Sequence, residues 1–139
     1  MAEHLIDTGP LAGYLLGRRW AMEALDPLLD KHEAATSILV YGEVIEYLKS
    51  LPDFAARRSQ LRRQLQEIRP YLLTYGVLER YADIRRDLRP PYGTGLIGDV
   101  DTLIAATALE YDLTVVTVDR DFTRVPQLRV QILSRPATR

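Results

Sequence analysis

The sequence contains no cysteine. That absence excludes disulfides, thiolate zinc sites and cysteine nucleophiles together, and it suits a reducing cytosol. Histidine is almost as scarce. His4 precedes an apolar strand-like run and His32 lies in a charged stretch, so both read as structural or solvated rather than catalytic. Long apolar runs are missing too: the longest uncharged stretches, such as Gly9–Gly17 and Ala34–Gly42, fall well short of the roughly 18–20 residues that a bilayer-spanning helix needs. Met1-Ala2-Glu3-His4 leads straight into an apolar segment with no basic n-region and no long apolar h-region. The expectation is therefore no secretory signal, no membrane and a cytoplasmic location.

What is present is the balance of an ordinary globular chain. Of 139 residues, 47% are hydrophobic and 27% charged, enough for one sizeable core, so a single domain over residues 1–139 with a single site is expected. The formal net charge of −1 conceals a division. Residues 49–90 carry ten Lys and Arg against five Asp and Glu, whereas the rest carries eight against fourteen. An acidic centre beside a cationic surface is compatible with a nucleic-acid ligand but does not identify one.

Along the chain, His4-Leu5-Ile6 reads as a short buried strand that ends at Asp7-Thr8-Gly9-Pro10, and a helix follows over Leu11–Leu16 with Pro10 in its first turn. Met22–Lys31 reads as a second helix. Glu33–Ser37 leads through Thr36-Ser37, good N-cap residues, into a helix over Ile38–Ser50. After the break at Leu51-Pro52-Asp53, Phe54–Ile68 is expected to be a basic amphipathic helix carrying Arg57, Arg58, Arg62 and Arg63. Tyr71–Tyr75 is a strand candidate and Leu78–Leu88 a helix, and the prolines and glycines of Arg89–Gly95 form a loop. Asp101–Tyr111 is an alanine-rich helix, Thr114–Val118 a β-branched strand and Gln131–Leu133 a last short strand. This alternation predicts an α/β sandwich around a mostly parallel sheet.

Sites in such sheets form where strands end at their carboxyl edge, and Asp7 and Asp119 occupy two such places. Asp101, at the start of the alanine-rich helix, is expected to point back to the same edge, with Ala105 and Ala108 letting that helix lie close to the sheet. Glu43, flanked by Val40 and Tyr47 on its helix, is the fourth candidate. Four converging carboxylates repel unless a hard divalent cation, Mg²⁺ or Mn²⁺, neutralises them. Such an ion can activate a water for attack on phosphorus without a Ser, Cys or His nucleophile. Taken singly, each acid has an ordinary alternative: Asp7 as a turn or cap, Asp99 or Asp101 as an N-cap, Asp119 and Asp121 as turn residues, Glu43 as an arginine's partner.

These segments resemble the PIN-domain family, and within it VapC-type toxins. Leu5–Leu11 resembles the family's opening motif, with Asp7 its first acid; Thr36–Val44 resembles the segment carrying the second, Glu43. Tyr81–Arg89 resembles the helix before the loop, Ile97–Leu109 the stretch carrying the third acid, Asp101, and Val116–Phe122 the closing motif with Asp119 and a supporting Thr117. The resemblance spans nearly the whole chain. It implies a PIN-like α/β/α sandwich, an Mg²⁺- or Mn²⁺-dependent endoribonuclease, a homodimer, an RNA substrate and a VapB-like antitoxin partner. Asp99 and Asp121 stand beside the core set, with Asp119 favoured over Asp121 for the fourth position.

Other readings of the same residues are a PIN nuclease in RNA processing or acting on DNA, a catalytically silent RNA-binding domain, and a phospho-accepting receiver module. The last needs a lysine beside the acids, yet Lys31 and Lys49, the only two, follow no late strand.

Overall fold

Leu5 and Ile6 are fully buried, and the strand they form, β1 (His4–Ile6), takes the centre of the sheet. The computed structural model describes residues 2–136. The chain continues through α1 (Thr8–Leu15), α2 (Arg19–Asp30), β2 (Ala34–Ser37), α3 (Ile38–Leu48), α4 (Phe54–Gln64), β3 (Arg69–Tyr71), α5 (Tyr75–Leu88), α6 (Asp99–Glu110), β4 (Thr114–Thr117), a 3-10 turn over Arg120–Arg124, and β5 (Val130–Ile132). The strands order as β3-β2-β1-β4-β5 and every pair is parallel. With its helices this is the α/β/α sandwich expected, all-parallel rather than mostly parallel. Among the described residues no helix is long and apolar enough to cross a membrane.

The order places a topological switch beside β1: the chain steps from β1 outward to β2 and β3, then returns to the other flank for β4 and β5. The register sets Leu5 against Val115 and Ile6 against Val116, so β1 and β4 end together although more than a hundred residues separate them. Gly13 lets α1 meet α2, since a Cβ there would lie 2.9 Å from the Trp20 ring. In α6, Ile104, Ala105, Ala106 and Ala108 are all fully buried. The three alanines among them let that helix approach its neighbours closely.

Several boundaries differ from the sequence reading. The approach to α3 is itself a strand, β2, because its four small residues, Ala34 to Ser37, are all buried between neighbours. Ser37 caps α3 by accepting from the Leu39 amide, whereas Thr36 donates instead to the Ile6 carbonyl. The strand expected at Tyr71–Tyr75 lies at Arg69–Tyr71: Thr74 is taken by the cap of α5, and Leu72 and Leu73 turn out to solvent. Pro70 is tolerated there because β3 is an edge strand. The helix expected over Phe54–Ile68 ends at Gln64 and buries only Leu61, so it is a polar helix rather than an amphipathic one. Finally, α6 begins at Asp99 with Gly98 as its N-cap, two residues before the expected start.

Packing around α6 gives a direct test. Ala105→Leu should lower the urea-measured stability by about 1–3 kcal/mol, because a full interior has no room for three more carbons. Ala55→Leu, exposed on α4, should stay within about 0.5 kcal/mol of the parent.

Candidate active site

The carboxyl ends of β1 and β4 are joined by hydrogen bonds that fix one carboxylate in place. The Asp7 amide donates to the Val116 carbonyl at 3.0 Å, and its own carbonyl accepts the first bond of α1, from the Leu11 amide. On the other flank of β1, the buried Thr36 hydroxyl donates to the Ile6 carbonyl at 2.7 Å. Asp7 thus occupies the N-cap position of α1, yet its side chain makes no cap bond. Instead it accepts from the Thr117 hydroxyl at 2.6 Å. Asp7 is only 6% exposed and Thr117 is fully buried. Gly9 keeps this corner tight, since a Cβ there would stand 3.1 Å from Val118.

Thr117 also reaches the second strand-end acid, its oxygen accepting from the Asp119 amide at 3.0 Å. Asp119 then caps the 3-10 turn by accepting from the Asp121 amide. One buried hydroxyl therefore links both acids. Glu43, half-buried on α3, accepts from the Thr8 hydroxyl at the start of α1. Asp101 stands in the first turn of α6.

The electrostatics show that these four acids share one space. The Asp101 carboxyl is pushed up to about 7 by burial first, and then by the charges of Asp7, Asp119, Glu43 and Asp121. Asp7 also lies above the ordinary carboxylate range. Burial dominates there, the Thr117 hydroxyl and Thr8 amide oppose it, and Glu43 and Asp119 add to it. Among the described residues none of the four pairs with an arginine, while the two neighbouring acids do: Asp99 with Arg85 at 2.8 Å and Asp121 with Arg124 at 3.9 Å. The ordinary alternatives therefore fail for Glu43, whose partner is a threonine, and for Asp99 and Asp101 as caps, since Gly98 fills that role. Asp119 does serve as a cap. His4 begins β1 at the opposite edge of the sheet, and His32 is exposed in a turn after α2. Both lie apart from the acids.

Among the described residues no three His, Asp or Glu side chains form a ready-made cage for an ion. The donor chemistry nevertheless fits a hard divalent cation. The group is all carboxylate, no arginine pairs with it among the described residues, and burial and then mutual charge raise two of its members, Asp7 and Asp101, above the ordinary carboxylate range. A pocket of this kind suits a cation held by one or two direct oxygens with its waters retained, the habit of Mg²⁺.

The PIN domain family model matches residues 5–128, which include all four acids. The chain belongs to the PIN domain family. No curated protein is significantly similar to it in sequence. Among solved structures, this PIN domain resembles VapBC2 from Rickettsia felis bound to a fragment of promoter DNA, with TM-score 0.81 and 21% identity over 94% of this chain and 98% of that one. It also resembles DNA-bound VapBC from Salmonella typhimurium, with TM-score 0.82 and 18% identity over 95% and 98%. A third likeness is to a toxin–antitoxin complex from Klebsiella pneumoniae, with TM-score 0.71 and 23% identity over 91% and 95%. Identities this low speak for the fold.

Sequence reasoning missed two residues of the PIN domain's acidic corner. Thr8 and Thr36 hold Glu43 and the end of β1, and the one available signal was a hydroxyl beside each acid-bearing terminus.

The raised Asp101 pKa has a definite sign. Its folded value, about 7, exceeds the ordinary 3.8, so the fold favours the protonated form, and this group's contribution is lost as pH rises through about 7. In EDTA at pH 8, Asp101→Asn should therefore be more stable than the parent by about 1–2 kcal/mol, allowing for solvent screening of a half-exposed group. At pH 4 the two should melt together. An equal difference at both pH values would remove the ionised Asp101 carboxylate, with its burial and its like-charged neighbours, as the cause.

Proposed function

We propose that this PIN domain is a metal-dependent endoribonuclease, the VapC-like toxin of a toxin–antitoxin pair. The observation that carries the reading is the set of four carboxylates, Asp7, Glu43, Asp101 and Asp119, gathered at the switch point without a cationic partner among the described residues. Asp7 and Asp101 would hold Mg²⁺ or Mn²⁺, with Glu43 and Asp119 completing the acidic pocket. When bound, such an ion supplies activation of the attacking water and neutralisation of the phosphate's charge. The chain's own residues do the positioning. Thr117 fixes the Asp7 carboxylate from inside the sheet, Thr8 fixes Glu43, and Asp101, raised to about 7, would hold the cation in its ionised form.

The toxin reading draws on the likeness to VapBC complexes and to the toxin–antitoxin complex described above. A VapB-like antitoxin and a second copy of the chain are the expected partners. Surface for such contacts exists where Leu72, Leu73, Tyr75 and Leu78 stay exposed between β3 and the first turn of α5, with Tyr75 89% exposed.

The purified chain, freed of any co-purifying partner, should cut labelled cellular RNA at discrete positions with Mg²⁺ or Mn²⁺ and not with EDTA. Asp7→Asn and Asp101→Asn should reduce cleavage to background. Thr117→Val should keep the metal dependence but slow cleavage by about 10–100-fold, the usual cost of losing the group that orients a ligand. Growth arrest on expression, relieved by a co-encoded partner, separates a toxin from a PIN nuclease of RNA processing. Cleavage that survives EDTA or both Asn variants contradicts the mechanism.

A further inference from the structure

The basic surface of this chain divides into two parts of different character. Of the four arginines on α4, three are already engaged. Arg57 binds Asp53 and the Leu15 carbonyl, while Arg58 lies over the Phe54 ring and Arg62 over the Tyr41 ring. On the last turns of α5 and just beyond, Arg86 and Arg89 are exposed and, among the described residues, make no ion pair or side-chain hydrogen bond. They line an open cleft of about 420 Å³ together with Tyr81, Ala82, Arg85 and Tyr92.

Tyr92 is 81% exposed, yet the turn that carries it is clamped. Its amide and that of Gly93 donate to the Arg89 carbonyl at 3.0 and 3.1 Å, and the Gly95 amide donates to the Leu88 carbonyl at 2.8 Å. Gly93 sits so close to α5 that a Cβ would stand 2.4 Å from the Asp87 carbonyl oxygen, so only glycine permits this contact. Arg124 ties the same turn, through Thr94 and the Gly95 carbonyl, to the 3-10 turn that Asp119 caps. On the other side, Arg85 and the Tyr81 hydroxyl both bind Asp99 in the first turn of α6, which also carries Asp101. The cleft is therefore braced to two of the elements that hold the acids. Asp99 and Asp101 leave the helix on different faces, so the cleft and the acidic pocket meet the same first turn of α6 from different sides.

An exposed aromatic held in place beside unpaired guanidinium groups is the combination that binds single-stranded nucleic acid. The ring stacks on a base whatever its identity, and the arginines take phosphates. We propose that the cleft between the C-terminal turns of α5 and the Tyr92 turn is a subsite for single-stranded RNA flanking the scissile phosphate, with a base stacked on Tyr92 and phosphate contacts from Arg86 and Arg89. This rests on the nuclease reading of the acidic pocket and adds a binding residue set outside it. The favourable placement of Arg85 and Arg86 at a helix C-terminus accounts for their charge, but it gives no reason for a clamped, exposed tyrosine beside them.

The test uses the full chain and a labelled 12-nucleotide single-stranded RNA of mixed sequence. Binding is measured in EDTA over a salt series, and cleavage with Mn²⁺. Hydrolysis of bis(p-nitrophenyl) phosphate, too small to reach the cleft, is followed in parallel. Tyr92→Ala should weaken RNA binding about 10-fold. In R86A/R89A, the slope of log affinity against log salt should flatten by about 0.7 per arginine that contacts a phosphate, and Arg86→Lys with Arg89→Lys should restore it. For RNA cleavage the change should appear in KM with kcat nearly unchanged, and small-diester hydrolysis should not move. Unchanged KM and salt slope in a parent that cuts RNA overturn the subsite and leave the nuclease reading intact. Loss of small-diester hydrolysis in the variants overturns it by revealing a structural effect. A changed oligomeric state with unchanged KM gives the face to a second copy of the chain instead. Failure of the parent to bind or cut RNA removes the nuclease reading and the subsite with it.

Discussion

Repulsion among like charges at the end of a parallel sheet is the constraint around which this molecule is arranged. Asp7, Glu43, Asp101 and Asp119 come from four distant parts of the chain, and burial together with the neighbouring charges resists the ionisation of Asp7 and Asp101. A group of that kind stays assembled only where the surrounding packing holds it. Here the holding elements are a pair of strands buried toward their carboxyl ends, an alanine-lined helix and a few hydroxyls. Thr117 is central among them because its single oxygen donates to one acid and accepts from the amide of another. Stability is thereby given up locally at the position where a positive charge can be most strongly bound.

The distribution of arginine follows from the same constraint. An arginine among the acids would neutralise the pocket permanently and leave a cation nothing to compensate. The observed ion pairs instead involve Asp53, Asp99, Glu110, Asp112 and Asp121. Exposed pairs of this kind contribute only about 0–1 kcal/mol each, so their effect is mainly on placement. Arg85 and Arg124 illustrate it, since each draws a neighbouring acid away from the core set and fixes a loop or helix end beside the pocket.

The acids were legible in the sequence because parallel α/β folds place polar groups where apolar strands stop. Leu5-Ile6 before Asp7 and Val115-Val116 before Asp119 carry that signal plainly. β2 carried no such signal. Ala34-Ala35-Thr36-Ser37 has the small side chains that close packing requires, and these look like a helix approach rather than a strand. Tyr71–Tyr75 misled in the other direction, its apolar and aromatic residues belonging largely to an exposed surface that sequence periodicity cannot tell from a core. The roles of Thr8 and Thr36 were not legible, Thr36 reading as a helix cap, because a single side-chain hydrogen bond imposes no period on the chain. The arginines of α4 stand out in the sequence by number. Only the fold shows that several are engaged while Arg86 and Arg89, at the end of α5, have no ion pair among the described residues.

The central claim is that the acidic pocket is built for a divalent cation, and calorimetric titration of Mn²⁺ into the purified chain at pH 7.5 tests it most directly. The account predicts saturable binding, with a proton release that grows when the titration is repeated at pH 6, where more of Asp101 is protonated. It also predicts that binding is lost in D7N/D101N while the variant remains folded. Absence of binding to the parent, or undiminished binding to the double variant, would contradict it.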